Sequence, residues 1–293
     1  MNKRKYIVDL KSLLLGSCIL IAAFIGIFYT NGGASFEVTN MYGDTVKIFG
    51  DGIYAYNSIL NVSSRLGADI TGIIGAIALI FLSIWKSKPL WAEILKTSVT
   101  LYLTYYAVLL VFGLSMNQLY FLYVACFGIG IFSSCISVKE LFNMIVIPIS
   151  LKEKKCKGTA VFLIITGIVI ALIWISCILP VTINGEFGSL LGIQTNEITY
   201  GIDFGITCPL LIMCGRWILQ KKDIGYKTAP LLLNMLAFIA LLVIMQRAYC
   251  IKLGVEIPIQ ALISLIISFV ILGVIAFCLF VKLIGNFMLK KIN

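Results

Sequence analysis

The sequence predicts an all-α fold: a polytopic transmembrane bundle of about eight spans. Three observations carry that expectation. Of the 293 residues, 60% are apolar and only 12% are charged, with a mean hydropathy of +1.05. A soluble domain carries roughly a quarter charged residues, so there is too little polar surface to cover a water-soluble globule. Eight apolar stretches approach the ~20 residues that a helix needs to cross hydrocarbon. Finally, the basic residues collect in alternate loops, which is the signature of a fixed orientation in a bilayer.

The stretches run at 12–30, 69–85, 94–113, 118–137, 158–179, 202–219, 228–248 and 258–281. Each is expected to be helical, because a lone segment in lipid must satisfy its own backbone hydrogen bonds. Lys3, Arg4 and Lys5 precede the first, and Gly33-Ala34-Ser35 follows it, a pattern shared with cleaved signal peptides. The apolar run exceeds the ~7–15 residues of a signal core, which favours an uncleaved span. Two connections are long enough to hold structure. In segment 30–68, Ala55, Ile59, Val62 and Leu66 share one helical face, predicting a short amphipathic helix on the outer surface or over the bundle. In 138–157, Leu141, Phe142, Met144, Ile145 and Val146 precede the basic cluster Lys152–Lys157, predicting an interfacial helix and an anchor.

With the N-terminus inside, the cytoplasmic side holds the basic residues of the N-terminus and of four later segments. Of 23 lysines and arginines, only Lys47, Arg65, Arg247 and Lys252 fall on the other side. Both termini are therefore expected in the cytoplasm. The net charge of +10 is read as a topology signal and as a partner for anionic lipid headgroups, with no need of nucleic acid. The expected partner is the bilayer itself.

A duplication is suggested by two Gly-x-Asp triplets, Gly67-Ala68-Asp69 and Gly201-Ile202-Asp203. Each follows an outer loop and opens an apolar run that ends in Trp85 or Trp217 near basic residues. The aspartates are 134 residues apart, as are the starts of spans three and seven. The reading is a 4+4 parallel repeat: 1–150 forms one four-helix half, with the extracytoplasmic segment 30–68, and 151–293 forms the other. The predicted geometry places Asp69 and Asp203 facing each other across a shared axis.

Part of the chain has a family look. Tyr42-Gly43, Val46, Gly50-Asp51-Gly52-Ile53-Tyr54, Arg65, Gly67-Ala68-Asp69, Tyr102, Tyr105, Tyr106, Asn117, Leu119, Leu122 and Tyr123 resemble a family of bacterial multi-pass membrane proteins of uncharacterised activity. The likeness spans roughly residues 36–135. Members commonly place Arg directly before Gly-x-Asp, where Leu66 intervenes here, and often have Asp at the position of Asn57. The resemblance implies a bacterial cell membrane and no particular activity.

The chain has no histidine, which removes the commonest general base and metal ligand. Its nine cysteines form no CxxC pair and mostly sit in apolar runs, as small buried hydrophobes do. No phosphate-binding loop, nucleophile elbow or HExxH helix appears. No catalytic set, cofactor or metal is expected. Ionisable groups inside a membrane are costly and become functional candidates by default. The candidate ligand-binding set is Asp69, Asp203, Arg65, Tyr105, Tyr106, Asn117 and Gln260. The competing reading of each aspartate is a helix cap, and Arg65 is spaced for an ion pair with Asp69.

Pro209 removes a backbone hydrogen bond within span six. Polar stripes at Thr97, Thr100 and Thr104, and at Gln260, Ser264 and Ser268, are expected to face the bundle interior. Glu37, Asp44, Asp51, Glu186, Glu197 and Glu256 join the two aspartates outside, predicting an acidic mouth that favours cationic ligands. Together these features favour a transporter-like or small-ligand-binding bundle of a bacterial cytoplasmic membrane. An accessory subunit with a membrane-protein partner is the alternative, drawn from the expected absence of any buried basic residue. A membrane enzyme acting on a lipid-linked substrate ranks third.

Overall fold

The computed structural model describes residues 9–153, 156–187, 191–256, 259 and 262–289. Among them, seven helices are long and apolar enough to cross a membrane: α1 (Leu10–Phe28), α2 (Ile59–Ile84), α3 (Leu90–Phe112), α4 (Tyr120–Met144), α5 (Lys157–Asn184), α6 (Ile198–Leu219) and α7 (Asp223–Lys252). The eighth expected span is the shorter α8 (Ser268–Ile284), which continues from a π-helical turn at Leu262–Ile267. The all-α polytopic bundle stands. Large apolar side chains such as Phe121, Phe132, Leu172, Ile183 and Phe277 lie exposed, as lipid-facing side chains do in such bundles.

Local chemistry sets the ends of the helices. Asp9 caps α1, its carboxylate accepting from the Ser12 backbone N–H at 3.3 Å and the Ser12 hydroxyl at 3.0 Å. The same carboxylate pairs with Lys96 of α3 at 2.7 Å, and Lys96 pairs with Glu93 at 2.9 Å. Lys11 reaches Glu140 of α4 at 3.2 Å. The start of α1 is thus tied to α3 and α4. Ser58 caps α2, its hydroxyl accepting from the Asn61 N–H at 3.2 Å. Gly185, with φ of 74°, ends α5 in the left-handed conformation that costs glycine least.

Several expectations are corrected here. Asp69 does not open span two, since α2 begins at Ile59 and already contains Arg65 and Gly67. The amphipathic helix foreseen in 55–66 is the first turns of α2, which leaves Ala55 outside it and buries Val62. Polar Arg65 and Asp69 interrupt the apolar run there, so counting hydropathy starts the span too late. Asp203 likewise lies within α6 and follows a turn of helix. Neither aspartate caps a helix. Residues 138–144 continue α4, and only Ile149–Glu153 forms a short separate helix. Between them, Ile145–Val146 pairs antiparallel with Met288–Leu289 near the other end of the chain.

The segment between α1 and α2 holds an antiparallel hairpin that the helical reading missed: β1 (Phe36–Thr39) and β2 (Thr45–Ile48). Its signal was present in the alternating, β-branched residues around Asn40-Met41-Tyr42-Gly43-Asp44. The Asn40 side chain accepts from the backbone N–H groups of Tyr42 and Asp44, both at 2.9 Å, and Gly43 takes φ of 91°.

α7 is the central helix, packed against α2, α3, α6 and α8. Two large apolar cores form beside a smaller cluster of Ile53, Tyr54 and Val62. One gathers Leu15, Leu79, Tyr102, Tyr106 and Cys126, and the other Leu163, Leu211, Leu233, Leu236 and Phe280. The pairing α1–α2, α2–α3, α3–α4 has its counterpart in α5–α6, α6–α7, α7–α8. Small residues let backbones approach at the crossings. A Cβ on Gly67 would overlap the backbone of Met245 and Gln246 in α7, whereas one on Gly201 would meet nothing. The two Gly-x-Asp glycines therefore do different work.

Candidate functional site

A cavity of about 850 Å³ lies at the end of the bundle that carries the hairpin. Its walls come from the first turns of α2, the last turns of α3, the later part of α7, and the starts of α6 and α8. Leu191, Gly192, Gln194 and Glu197, before α6, also line it. Asn40 of the hairpin donates to the Gly192 carbonyl at 2.8 Å, and Gln194 donates to the Gly113 carbonyl at the end of α3 at 2.7 Å. Asn61 of α2 donates to that same carbonyl at 3.2 Å.

Arg65, Tyr105 and Asp203 of the candidate set line this cavity. Arg65 is 7% exposed, and its Nε and Nη1 atoms are buried with no hydrogen-bond partner. The ion pair with Asp69 that the spacing allowed is not formed. Asp203 is 4% exposed. Its Oδ2 accepts from the Trp174 indole N–H at 3.0 Å, while its Oδ1 is buried and unpartnered. The backbone helps to place it. Asp203 begins the π-helical turn Asp203–Thr207, and Pro209 follows in the next turn. Proline has no N–H to give to the Gly205 carbonyl, so a local departure from α-helix is accommodated at this point.

The remaining candidates lie elsewhere. Asp69 is fully buried and does not line the cavity. Tyr106 donates to its Oδ1 at 2.5 Å and Tyr54 to its Oδ2 at 2.8 Å, so both oxygens are served from within the fold. The expected meeting of Asp69 with Asp203 is absent: one carboxylate is enclosed by tyrosines, and the other is open to the cavity. Asn117 borders a separate cavity of about 350 Å³, and its Oδ1 accepts from the Leu119 N–H at 2.9 Å. Gln260 lies outside the described residues. The threonine stripe of α3 is inward but turned to its own helix. Thr97, Thr100 and Thr104 donate to carbonyls four residues back, and Thr104 also meets Ser134 of α4 at 2.8 Å.

Sequence reasoning missed Arg247, Trp174, Tyr200 and Phe269. Arg247 lies in α7 and lines the cavity with its Nη1 buried and unpartnered. A lone arginine near the outer end of an apolar span was the available signal. The aromatic residues had none, because such residues are common on lipid-facing and core surfaces alike. Nor is the cavity acidic as expected: among its described lining residues, Asp44, Glu197 and Asp203 stand against Lys47, Arg65 and Arg247. The expected absence of buried basic residues fails too, since Lys96 is only 6% exposed alongside Arg65. Among the described residues, no group of histidine, cysteine, aspartate or glutamate is placed to hold a metal ion. Comparison with protein-family models, with curated proteins and with solved structures returns no match for this chain.

Proposed function

We propose that this chain is a multi-pass protein of a bacterial cytoplasmic membrane that binds a small ligand in the cavity lined by Arg65, Tyr105 and Asp203, as a transporter-like or ligand-binding bundle. Both termini face the cytoplasm and the cavity opens on the outer face, in keeping with the distribution of lysine and arginine. The two four-helix halves are treated as a 4+4 repeat, supported by the matching order of helix pairing.

One observation carries the ligand-binding reading. The buried Arg65 guanidinium has its Nε and Nη1 atoms without an acceptor in the fold. Leaving a buried donor unsatisfied costs roughly 1–3 kcal/mol, and more for a charged group, so this is not a neutral feature of a core. A ligand acceptor would compensate it. The same residue removes one of the two grounds of the accessory-subunit reading, the lack of buried basic groups, and leaves the other, the lack of a sharp motif.

Native mass spectrometry of the chain, extracted in mild detergent, tests this. The wild-type chain is expected to retain a bound small molecule that Arg65→Gln loses. Wild-type protein without adducts, or identical adducts on the variant, would overturn the proposal.

A further inference from the structure

The cavity wall carries unpartnered groups of both signs. Arg65 of α2 and Arg247 of α7 both line it, and their helices cross at the Gly67–Gln246 backbone contact. Arg65 presents Nε and Nη1, and Arg247 presents Nη1, all buried without partners. Guanidinium groups suit phosphate or carboxylate, which they bind through several charge-assisted hydrogen bonds. The Oδ1 of Asp203 is unpartnered too, and its carboxylate is held by the Trp174 indole in an aromatic group. The Trp174 ring centroid lies 4.7 Å from that of Tyr200 and 5.9 Å from that of Phe269, and all three residues line the cavity. A carboxylate beside aromatic rings suits an ammonium, through charge and cation–π attraction together.

No ion pair joins Asp203 to either arginine among the described residues. Tyr105 lines the same cavity as Asp203 and Arg65. Much of the remaining wall is apolar, with Ile239, Leu242 and Val243 of α7 and Ile266 before α8. At about 850 Å³, the space falls within the ~300–1,000 Å³ typical of small-molecule pockets and leaves room for an apolar extension.

We propose that this cavity binds a zwitterionic phosphoamine, its phosphate on Arg65 and Arg247 and its ammonium on Asp203 beside Trp174, Tyr200 and Phe269. The inference rests on the cavity being the ligand site. The shared chemistry is a phosphate and an ammonium on one molecule, supplied by a membrane lipid or by a water-soluble phosphoamine.

The test uses the full chain in detergent and measures affinity by thermal shift for three probes: lysophosphatidylethanolamine, lysophosphatidylglycerol and free phosphoethanolamine. The first two carry the same phosphodiester charge and differ in the ammonium. Wild-type protein is expected to prefer lysophosphatidylethanolamine by about tenfold, the scale of one charge-assisted hydrogen bond. Asp203→Asn is expected to erase that preference, while an amide oxygen still accepts from Trp174. Arg65→Gln and Arg247→Gln are each expected to weaken both lipids, so either variant suffices if the other fails to fold. Free phosphoethanolamine binding as tightly as the lipid would assign the source to water, and weaker binding would assign it to the bilayer. Equal affinity for the two lipids in wild type, with no effect of Asp203→Asn, would overturn the zwitterion and leave the cavity reading standing on the arginine variants. Binding of all probes unchanged by both arginine variants, or no binding of any probe, would overturn the inference together with its basis.

Discussion

Tyr106 and Asp69 meet at 2.5 Å between α3 and α2, and the hydroxyl of Tyr54 closes the other carboxylate oxygen at 2.8 Å. The aspartate is fully buried, so these two donors replace the water it would otherwise have. Tyr54 follows the hairpin in a 3₁₀ turn, and the cluster therefore ties the hairpin segment to the bundle as well as α2 to α3. Tyr106→Phe is expected to destabilise the chain by about 1–3 kcal/mol, the cost of leaving one buried polar group unserved. Tyr54→Phe should fall in the same range. Thermal unfolding in detergent measures both, and binding at the cavity should persist in both because Asp69 does not line it.

The pairing of Asp9 with Lys96 predicts a pH dependence. Burial raises the Asp9 pKa, but the hydrogen bond and charge of Lys96, the charge of Lys11 and the Ser12 N–H outweigh it, bringing the group from 3.8 to about 2. A depressed pKa contributes stability above the unfolded value that is lost as pH falls through the folded one. The contribution is therefore present above pH ~4 and fades towards pH 2, about 2 kcal/mol in all. Asp9→Asn should flatten the unfolding midpoint over that window. An unchanged acid limb in the variant would rule the pair out as its cause.

The two Gly-x-Asp triplets should respond oppositely to the same substitution. Gly67→Ala pushes a methyl group into the backbone of α7 at Met245 and Gln246, beside Arg247. Loss of stability and weaker ligand binding are both expected, on the scale of ~1–3 kcal/mol for an overpacked core. Gly201→Ala meets open space in a helix, where alanine gains roughly 0.5–1 kcal/mol over glycine. Equal effects at both positions would contradict the close crossing.

Orientation can be read by labelling. In a cysteine-free background, Tyr42→Cys on the exposed hairpin loop should react with a membrane-impermeant thiol reagent in intact cells. Lys221→Cys, in the turn between α6 and α7, should react only after permeabilisation. The reverse pattern would invert the proposed topology.

Composition, apolar length and the placement of lysine and arginine determined the fold class, because lipid solvates a helix by residue type and length alone. Those terms are local and additive along the chain, so they can be read without knowing what touches what. They could also single out Arg65, Asp69 and Asp203 as costly groups. They could not say where each cost is met. Asp69 is answered by Tyr54 and Tyr106, from two different parts of the chain, while Arg65 and the Oδ1 of Asp203 stay unanswered in a shared cavity. Hydropathy counting also placed the start of α2 ten residues late, since it treats Asn61, Ser63, Ser64 and Arg65 as though they faced lipid. Arg247, Trp174 and Phe269 join the site through α7, α5 and α8, whose packing brings together residues far apart in the chain. That juxtaposition depends on close crossings such as Gly67 against Gln246, which only the tertiary structure decides.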